Sequence, residues 1–339
     1  VGCFQRPARA LIPLILIPGF ASTIQAVTVK DVRRKMGSRF EVTAVHEDKQ
    51  AAWTAVEAAF AEIDRIETLI SSWQEASETS VINRNAGIKA VQVSDELFNL
   101  IQRCLKVSEL TQGAFDITTG GLEGLWDFRA DPPRLPTEEA IAAALPLVNY
   151  REIVVDSDAK TVYLPTPGMK IGFGGIGKGY AANRAVKRLK EAGATGGVVN
   201  AGGDLLGFGR RENGEEWEIG IAHPREQERI FARMKLTDQA VVTSGDYESF
   251  MIIDGKRYAH ILDPRTGRPV EHMMSVTVIC PDAELADALA TSTFVLGPEE
   301  GLQLINALRE VEAILVDGEG QIQPSHGLRD KVKTTGERP

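Results

Sequence analysis

Thiols, positive charge, long apolar runs and repeats are all scarce in this chain of 339 residues, and each shortage removes a class of protein. The three cysteines, Cys3, Cys104 and Cys280, form neither a disulfide framework nor the close pairs that hold zinc. So few thiols suit an oxidising compartment. A formal net charge of −9 argues against a nucleic-acid surface, which needs a basic patch. It leaves phosphorylated ligands open, because a metal ion and local amides can neutralise phosphate. The apolar run Ala10 to Pro18 is too short to span a bilayer comfortably, and two prolines interrupt it. Arg6 and Arg9 precede that run and the small residues Ala21, Ser22 and Ala26 follow it. Residues 1–26 therefore read as a signal peptide and the protein as periplasmic, with a buried N-terminal element as the alternative. Val1-Gly2-Cys3 invites a lipidated cysteine, but the apolar segment follows Cys3 instead of preceding it. Membrane association is thus expected only through an uncleaved signal or a target protein.

What is present is ordinary for a soluble globular chain: 43% hydrophobic and 25% charged residues. With no repeat and no linker, residues 27–326 read as one continuous α+β domain, followed by a polar tail at 327–339. Phe40 to Val45 alternates like a strand, after a turn at Lys35-Met36-Gly37-Ser38. Lys49 to Ile70 reads as an amphipathic helix, with Trp53, Val56, Phe60, Ile63 and Ile66 at helical spacing. A polar loop follows at Ser71–Ser80, where Trp73 is either a core anchor or a flat face offered to a ring. Ser94 caps a second helix running to Thr111, and Thr137 caps a short alanine-rich one. Residues 153–164 read as a hairpin, as do Met251 to Ile261 around Gly255-Lys256. Strands are expected at Gly196–Asn200, Trp217–Ala222, Met274–Cys280 and Ile314–Val316.

Gly172-Phe173-Gly174-Gly175-Ile176-Gly177-Lys178-Gly179 leads into a helix expected over Ala181–Ala192. Its glycines satisfy both a dinucleotide fingerprint and the start of a Walker A loop, and neither survives its context. Walker A needs Ser or Thr where Gly179 stands, and Pro165 to Gly168 breaks the strand the fingerprint requires. The shared physics remains: glycines before a helix N-terminus expose amides and a positive dipole end to an anion, unless the segment is only a tight turn. Further on, Asp282 caps a helix on which Asp287 and Thr291 lie one turn apart on the same face. A carboxylate and a hydroxyl so placed offer Mg²⁺ two hard oxygens. The plainer reading is a solvated carboxylate and a threonine bonded back to the preceding turn.

Six motifs in one order make the chain resemble the ApbE family of FAD:protein FMN transferases. They are G-A-F-D-I-T at Gly113–Thr118, G-G-I-G-K-G-Y at Gly174–Tyr180 and V-N-A-G-G-D at Val199–Asp204. Then come T-S-G-D-Y at Thr243–Tyr247, H-I-L-D-P-R-T-G at His260–Gly267 and A-D-A-L-A-T-S-T-F-V-L-G-P at Ala286–Pro298. The resemblance implies an ApbE-like (T-fold-like) α+β fold, with mixed or antiparallel sheets packed with helices around a central FAD cleft. It implies a Mg²⁺ enzyme that splits FAD, moves FMN to a threonine of an exported redox subunit and releases AMP. Asp287 and Thr291 would then be metal ligands, joined by a backbone carbonyl near Gly174 or Gly175. Met36, Trp73, Ala114, Phe115 and Asp116 match FAD-contacting positions, and Gly172, Gly175, Lys178 and Ile261 are assigned to the same ligand. His260 matches a general base for the incoming threonine, a task that suits its near-neutral pKa, and Lys178 would balance phosphate charge beside Asp287. A purely structural role for His260 stays open. The family's glycine loop usually begins with aspartate, where this chain has Gly172, which puts one FAD contact in doubt. With water as nucleophile the same site would be an FAD pyrophosphatase. Without turnover the chain would be a flavin-binding maturation factor.

Overall fold

A computed structural model describes residues 26–128, 130–226 and 229–329. Nearly all of the expected signal peptide, and the tail beyond residue 329, lie outside the described residues.

The frame is an eight-stranded sheet whose strands neighbour one another in chain order. They are β1 (Val27–Lys35), β2 (Ser38–His46), β3 (Gly196–Ala201), β4 (Asp204–Gly209), β5 (Gln239–Gly245), β6 (Met273–Cys280), β7 (Glu312–Asp317) and β8 (Ile322–Pro324). Every neighbouring pair is antiparallel. Met36 and Gly37, at φ 49° and 73°, make the two-residue turn between β1 and β2. The helices arrive as insertions in this meander. Between β2 and β3 come α1 (Lys49–Ile70), α2 (Glu78–Arg84), α3 (Asp95–Leu110), α4 (Glu138–Ala144) and α5 (Gly177–Glu191). Between β6 and β7 comes α6 (Ala283–Ala307), broken at Gly297 where φ turns positive before Pro298.

Alternation along the central strands divides the core between two faces. Ala240, Val242, Val276, Val278, Ala313 and Leu315 face the main core under α1, α5 and α6. Val241, Ile279 and Ile314 face the other way, against a separate hairpin of Trp217–Ala222 and Ile230–Leu236. The helix caps form as their sequences imply. Asp48, Ser94, Thr137 and Asp282 each accept a hydrogen bond from the amide three residues on.

Several expectations need correction. Ser71–Ser80 is not one loop, because Ser77 caps α2, which takes up its last three residues. Helix α5 begins at Gly177, four residues before the expected start, with Gly177-Lys178-Gly179 as its first turn. Close packing on α6 outweighs the poor helix propensity of two glycines there. Strands β1, β4, β5 and β8 and the strand Ile230–Leu236 were not expected. In β1 the charged residues Lys30, Asp31, Arg33, Arg34 and Lys35 obscure the alternation.

Candidate active site

The first turn of α5 meets the first two turns of α6 almost backbone to backbone. A β-carbon on Gly179 would lie 2.1 Å from the Ala283 carbonyl oxygen and 2.8 Å from Cβ of Asp287. Hence glycine holds the place where a Walker loop has a hydroxyl. The Gly179 amide donates to Asp287 Oδ2 at 3.0 Å, and Asn183 ties the two helices again. Its Oδ1 accepts from the Ala283 amide and its Nδ2 donates to Asp282 Oδ1. Asp287 is thereby fixed at the N-terminal end of α5.

One turn along α6, Thr291 faces the glycine loop. A β-carbon on Gly175 would lie 3.1 Å from Thr291 Oγ1, so the absence of a side chain lets the loop backbone come this near. Ser244 Oγ at the end of β5 stands 3.5 Å from the same hydroxyl. Asn83 of α2 pins the loop from outside, bonding both the amide and the carbonyl of Ile171. The Gly172 amide donates to the Ile117 carbonyl, joining the loop to the segment around Asp116.

The cleft between these elements holds about 370 Å³, toward the lower end of the ~300–1,000 Å³ usual for small-molecule sites. Asp287, Thr291, Gly172, Gly175 and Lys178 reach it from the two helices and the loop. Ala114, Phe115, Asp116, His260 and Ile261 line it as well. Met36 and Trp73 do not. The Met36 amide donates to Glu67, while Trp73 is 65% exposed on the surface. Asp116 has both oxygens engaged, Oδ1 by the amide and hydroxyl of Thr118 and Oδ2 by the Tyr150 amide. Its carboxylate therefore organises the cleft wall.

Two acidic residues that sequence reasoning left unassigned stand in the same space. Asp204, buried at the start of β4, pairs with Lys178 Nζ at 2.9 Å. Glu248, just after the T-S-G-D-Y motif, lines the cleft too. The signal for Asp204 lay in its own motif, as the carboxylate closing Ala201-Gly202-Gly203. Burial drives the Asp287 carboxyl well above the ordinary range; the Asp204 charge adds to this, while Lys178 and the Gly179 amide oppose it. Asp204 and Glu248 are also raised, by desolvation first, with Lys178 pulling both back. Burial disfavours the Lys178 ammonium, yet the surrounding carboxylates outweigh it and raise its pKa. One ammonium faces three carboxylates, and burial resists their all ionising together in this poorly solvated place. That is the electrostatic demand a divalent cation meets. Among the described residues no three His, Cys, Asp or Glu side chains converge on a metal position. A cation here would rest on one carboxylate, one hydroxyl and backbone oxygen, which leaves the open positions Mg²⁺ favours for water and phosphate.

His260 follows the strand Lys256–Ala259, its backbone amide and Nδ1 both set against the Ser249 carbonyl, Nδ1 at 3.1 Å. A carbonyl only accepts, so Nδ1 carries the proton and Nε2 holds the lone pair. Burial lowers the His260 pKa, the Ser249 bond opposes that, and Lys178 adds a smaller push downward. The ring is therefore a neutral base near pH 7.

Fold and cleft define an α+β protein whose site lies between two helix ends, with a carboxylate–hydroxyl pair, Asp287 and Thr291, at its centre. The chain belongs to the ApbE family, whose sequence profile matches residues 36–315. It is 31% identical over 307 residues to the FAD:protein FMN transferase of Klebsiella pneumoniae (strain 342), spanning 88% of this chain and 87% of that protein. The ApbE crystal structure from Thermotoga maritima superposes with a TM-score of 0.83 at 32% identity, covering 91% of this chain and all of the other. The apo flavinyl transferase ApbE of Pseudomonas stutzeri gives 0.80 at 29% identity, covering 92% and 99%.

Proposed function

We infer that this chain is a Mg²⁺-dependent FAD:protein FMN transferase working in the periplasm. The observation that carries the reading is the convergence of Asp287, Thr291, the glycine loop, Lys178 and His260 on one cleft. Asp287 and Thr291, with a backbone oxygen near Gly175, would hold Mg²⁺, which supplies charge neutralisation at a bound pyrophosphate. The loop's unhindered backbone at Gly172 and Gly174 leaves room for phosphate oxygens. Lys178, steadied by Asp204, adds a fixed positive charge. The acceptor is a threonine hydroxyl of an exported redox subunit. His260 Nε2 takes the hydroxyl proton as oxygen attacks the FMN phosphorus. The phosphoanhydride bond breaks, AMP leaves with the bonding electrons, and a phosphoester remains on the acceptor. Such transfers depend mainly on positioning and charge stabilisation, which this cleft is built to provide.

The test combines purified protein, FAD, Mg²⁺ and the soluble domain of an exported redox subunit. In-gel flavin fluorescence on that domain should appear together with an equal amount of AMP. Asp287→Ala should reduce both by about 10²-fold or more, as removal of a main electrostatic group does. Free FMN and AMP without labelled protein would make the chain a pyrophosphatase. Bound FAD, no AMP and indifference to Asp287→Ala would make it a flavin-binding factor.

A further inference from the structure

A second cavity, of about 840 Å³, adjoins the cleft and shares Thr243 and Glu248 with it. No residue used above to hold the flavin nucleotide lines it. Asn200, the turn Gly202-Gly203, Leu205, Ser38 and Arg39 line it. Gly220, Ile221 and Ala222 of the strand Trp217–Ala222 line it too, together with Val241 and Tyr247. Consecutive strand residues point to opposite faces. Three in succession on one cavity mean that backbone, as well as side chains, borders the space.

Among the described residues this strand pairs only with Ile230–Leu236, and no residue of that partner lines the cavity. The edge toward the cavity is without a strand neighbour. Peptide groups on such an edge are ready to pair with an extended chain. Gly203, where a β-carbon would meet nothing within 4 Å, adds open backbone opposite.

We propose that this cavity is the docking channel for the acceptor polypeptide, which enters extended along Gly220–Ala222 and presents its threonine to the cleft past Thr243 and Glu248. The proposal rests on the transferase reading and adds where the protein substrate sits. Continuity with the cleft favours a polypeptide over a small molecule, because only a substrate reaching in from outside needs a second, wider space joined to the first. Backbone pairing also explains the wall. Between the larger Leu205, Ile221, Val241 and Tyr247, the residues Gly202, Gly203, Gly220 and Ala222 leave backbone within reach of an extended chain.

Ala222→Trp, which narrows the channel, tests the idea against the acceptor domain that the wild-type protein labels best and a threonine peptide cut from it. The expected result is a KM for the acceptor raised at least tenfold, with FAD affinity unchanged within twofold. Equal loss of FAD binding and transfer in a folded Ala222→Trp protein would assign the cavity to the nucleotide and overturn the proposal, as would an unchanged acceptor KM. In case the tryptophan prevents folding, a photo-crosslinking residue at exposed Arg39 should capture the acceptor domain, and the free peptide should compete. The same residue at Arg233, on the far strand, should not. Failure to crosslink at Arg39, or equal crosslinking at both places, refutes the channel. Failure of the transferase reading shows differently: the wild-type protein then labels no acceptor at all.

Discussion

Replacing Gly179 by alanine should damage both stability and metal response, and the size of the effect follows from the contact between α5 and α6. The added methyl would lie 2.1 Å from the Ala283 oxygen, 2.7 Å from its carbonyl carbon and 2.8 Å from Asp287 Cβ. Two of these three atoms are backbone, and they belong to a helix end tied down by Asn183 and Asp282. Relief therefore requires the two helices to separate. Overpacking of this kind costs about 1–3 kcal/mol, and a clash with fixed backbone belongs at the upper end. Alanine recovers at most ~1 kcal/mol of helix propensity, less in a first turn. The net expectation is about 2 kcal/mol of destabilisation, read as a lower urea midpoint by circular dichroism. Separation also pulls Asp287 Oδ2 from the Gly179 amide, so half-maximal activation should need at least several-fold more Mg²⁺. Gly174→Ala is the control, because its β-carbon meets nothing within 4 Å and its φ is not left-handed. Its stability should stay within about 0.5 kcal/mol of wild type. Equal midpoints for the two variants, with equal Mg²⁺ response, would refute the reasoning.

His260→Gln should slow transfer by about 10²–10⁴-fold without changing FAD affinity, the usual share of a general base. The folded His260 pKa lies below its ordinary 6.5, so the wild-type rate should be level through pH 7 and fall only as acid protonates the ring. The glutamine variant should lack that acid limb, and its retention there would remove His260 from the base role. Glu62, buried among Arg65, Arg184 and Arg188, is held down to about 2, first by the Arg65 hydrogen bond and against the effect of burial. A depressed carboxylate stabilises fully above its unfolded pKa, so about 2 kcal/mol, discounted for screening, should be lost between pH ~4.5 and ~2. Urea midpoints of Glu62→Gln should be flatter across that window than those of wild type. Gly172→Asp meets open space and supplies the aspartate that the resemblance to the family leads one to expect there. FAD should then bind up to tenfold tighter by titration, about one charge-assisted hydrogen bond, and unchanged affinity would show that Gly172 replaces no lost contact.

Legibility in the sequence followed how local the determining physics is. Helices α1 and α3 were readable to within a residue from their apolar spacing, helped for α3 by the cap at Ser94. The hairpin around Gly255 was also plain, though its turn is Asp254-Gly255 and Lys256 already belongs to the second strand. Strand β1 was not, since an edge strand needs little apolar alternation and this one carries five charged residues. The early start of α5 could not be read, because it depends on a contact between Gly179 and a helix some hundred residues further on. In the site, motif order brought Asp287, Thr291, Lys178 and His260 to attention, and all four line one cleft. Asp204 closes the V-N-A-G-G-D motif and was findable there, whereas nothing local marks Glu248; the weight of both comes from sharing one poorly solvated space with Lys178 and Asp287. Trp73 shows the opposite limit, because matching a position says nothing about which way an exposed indole in a polar segment will lie.

The charge balance explains why the cleft lies where two helices meet and not on a loop. Three carboxylates gathered around one ammonium repel each other, and a flexible segment would relax by turning them toward water. Here α6 cannot turn, because Asn183 grips its first residues and Gly179 leaves no gap beneath Asp287. Lys178 and Gly179 are adjacent in the same turn of α5, so the contact that fixes Asp287 also fixes the ammonium beside it. The sheet sets the third group, since Asp204 opens β4 directly after the glycine turn that ends β3. Rigid elements thus hold three carboxylates together where burial resists their ionising, and a divalent cation bound against Asp287 would favour the charged forms. Preorganised charge of this kind needs no rearrangement when the phosphate bond breaks, and this makes a site on paired helix ends better suited to the transfer than one on a mobile loop.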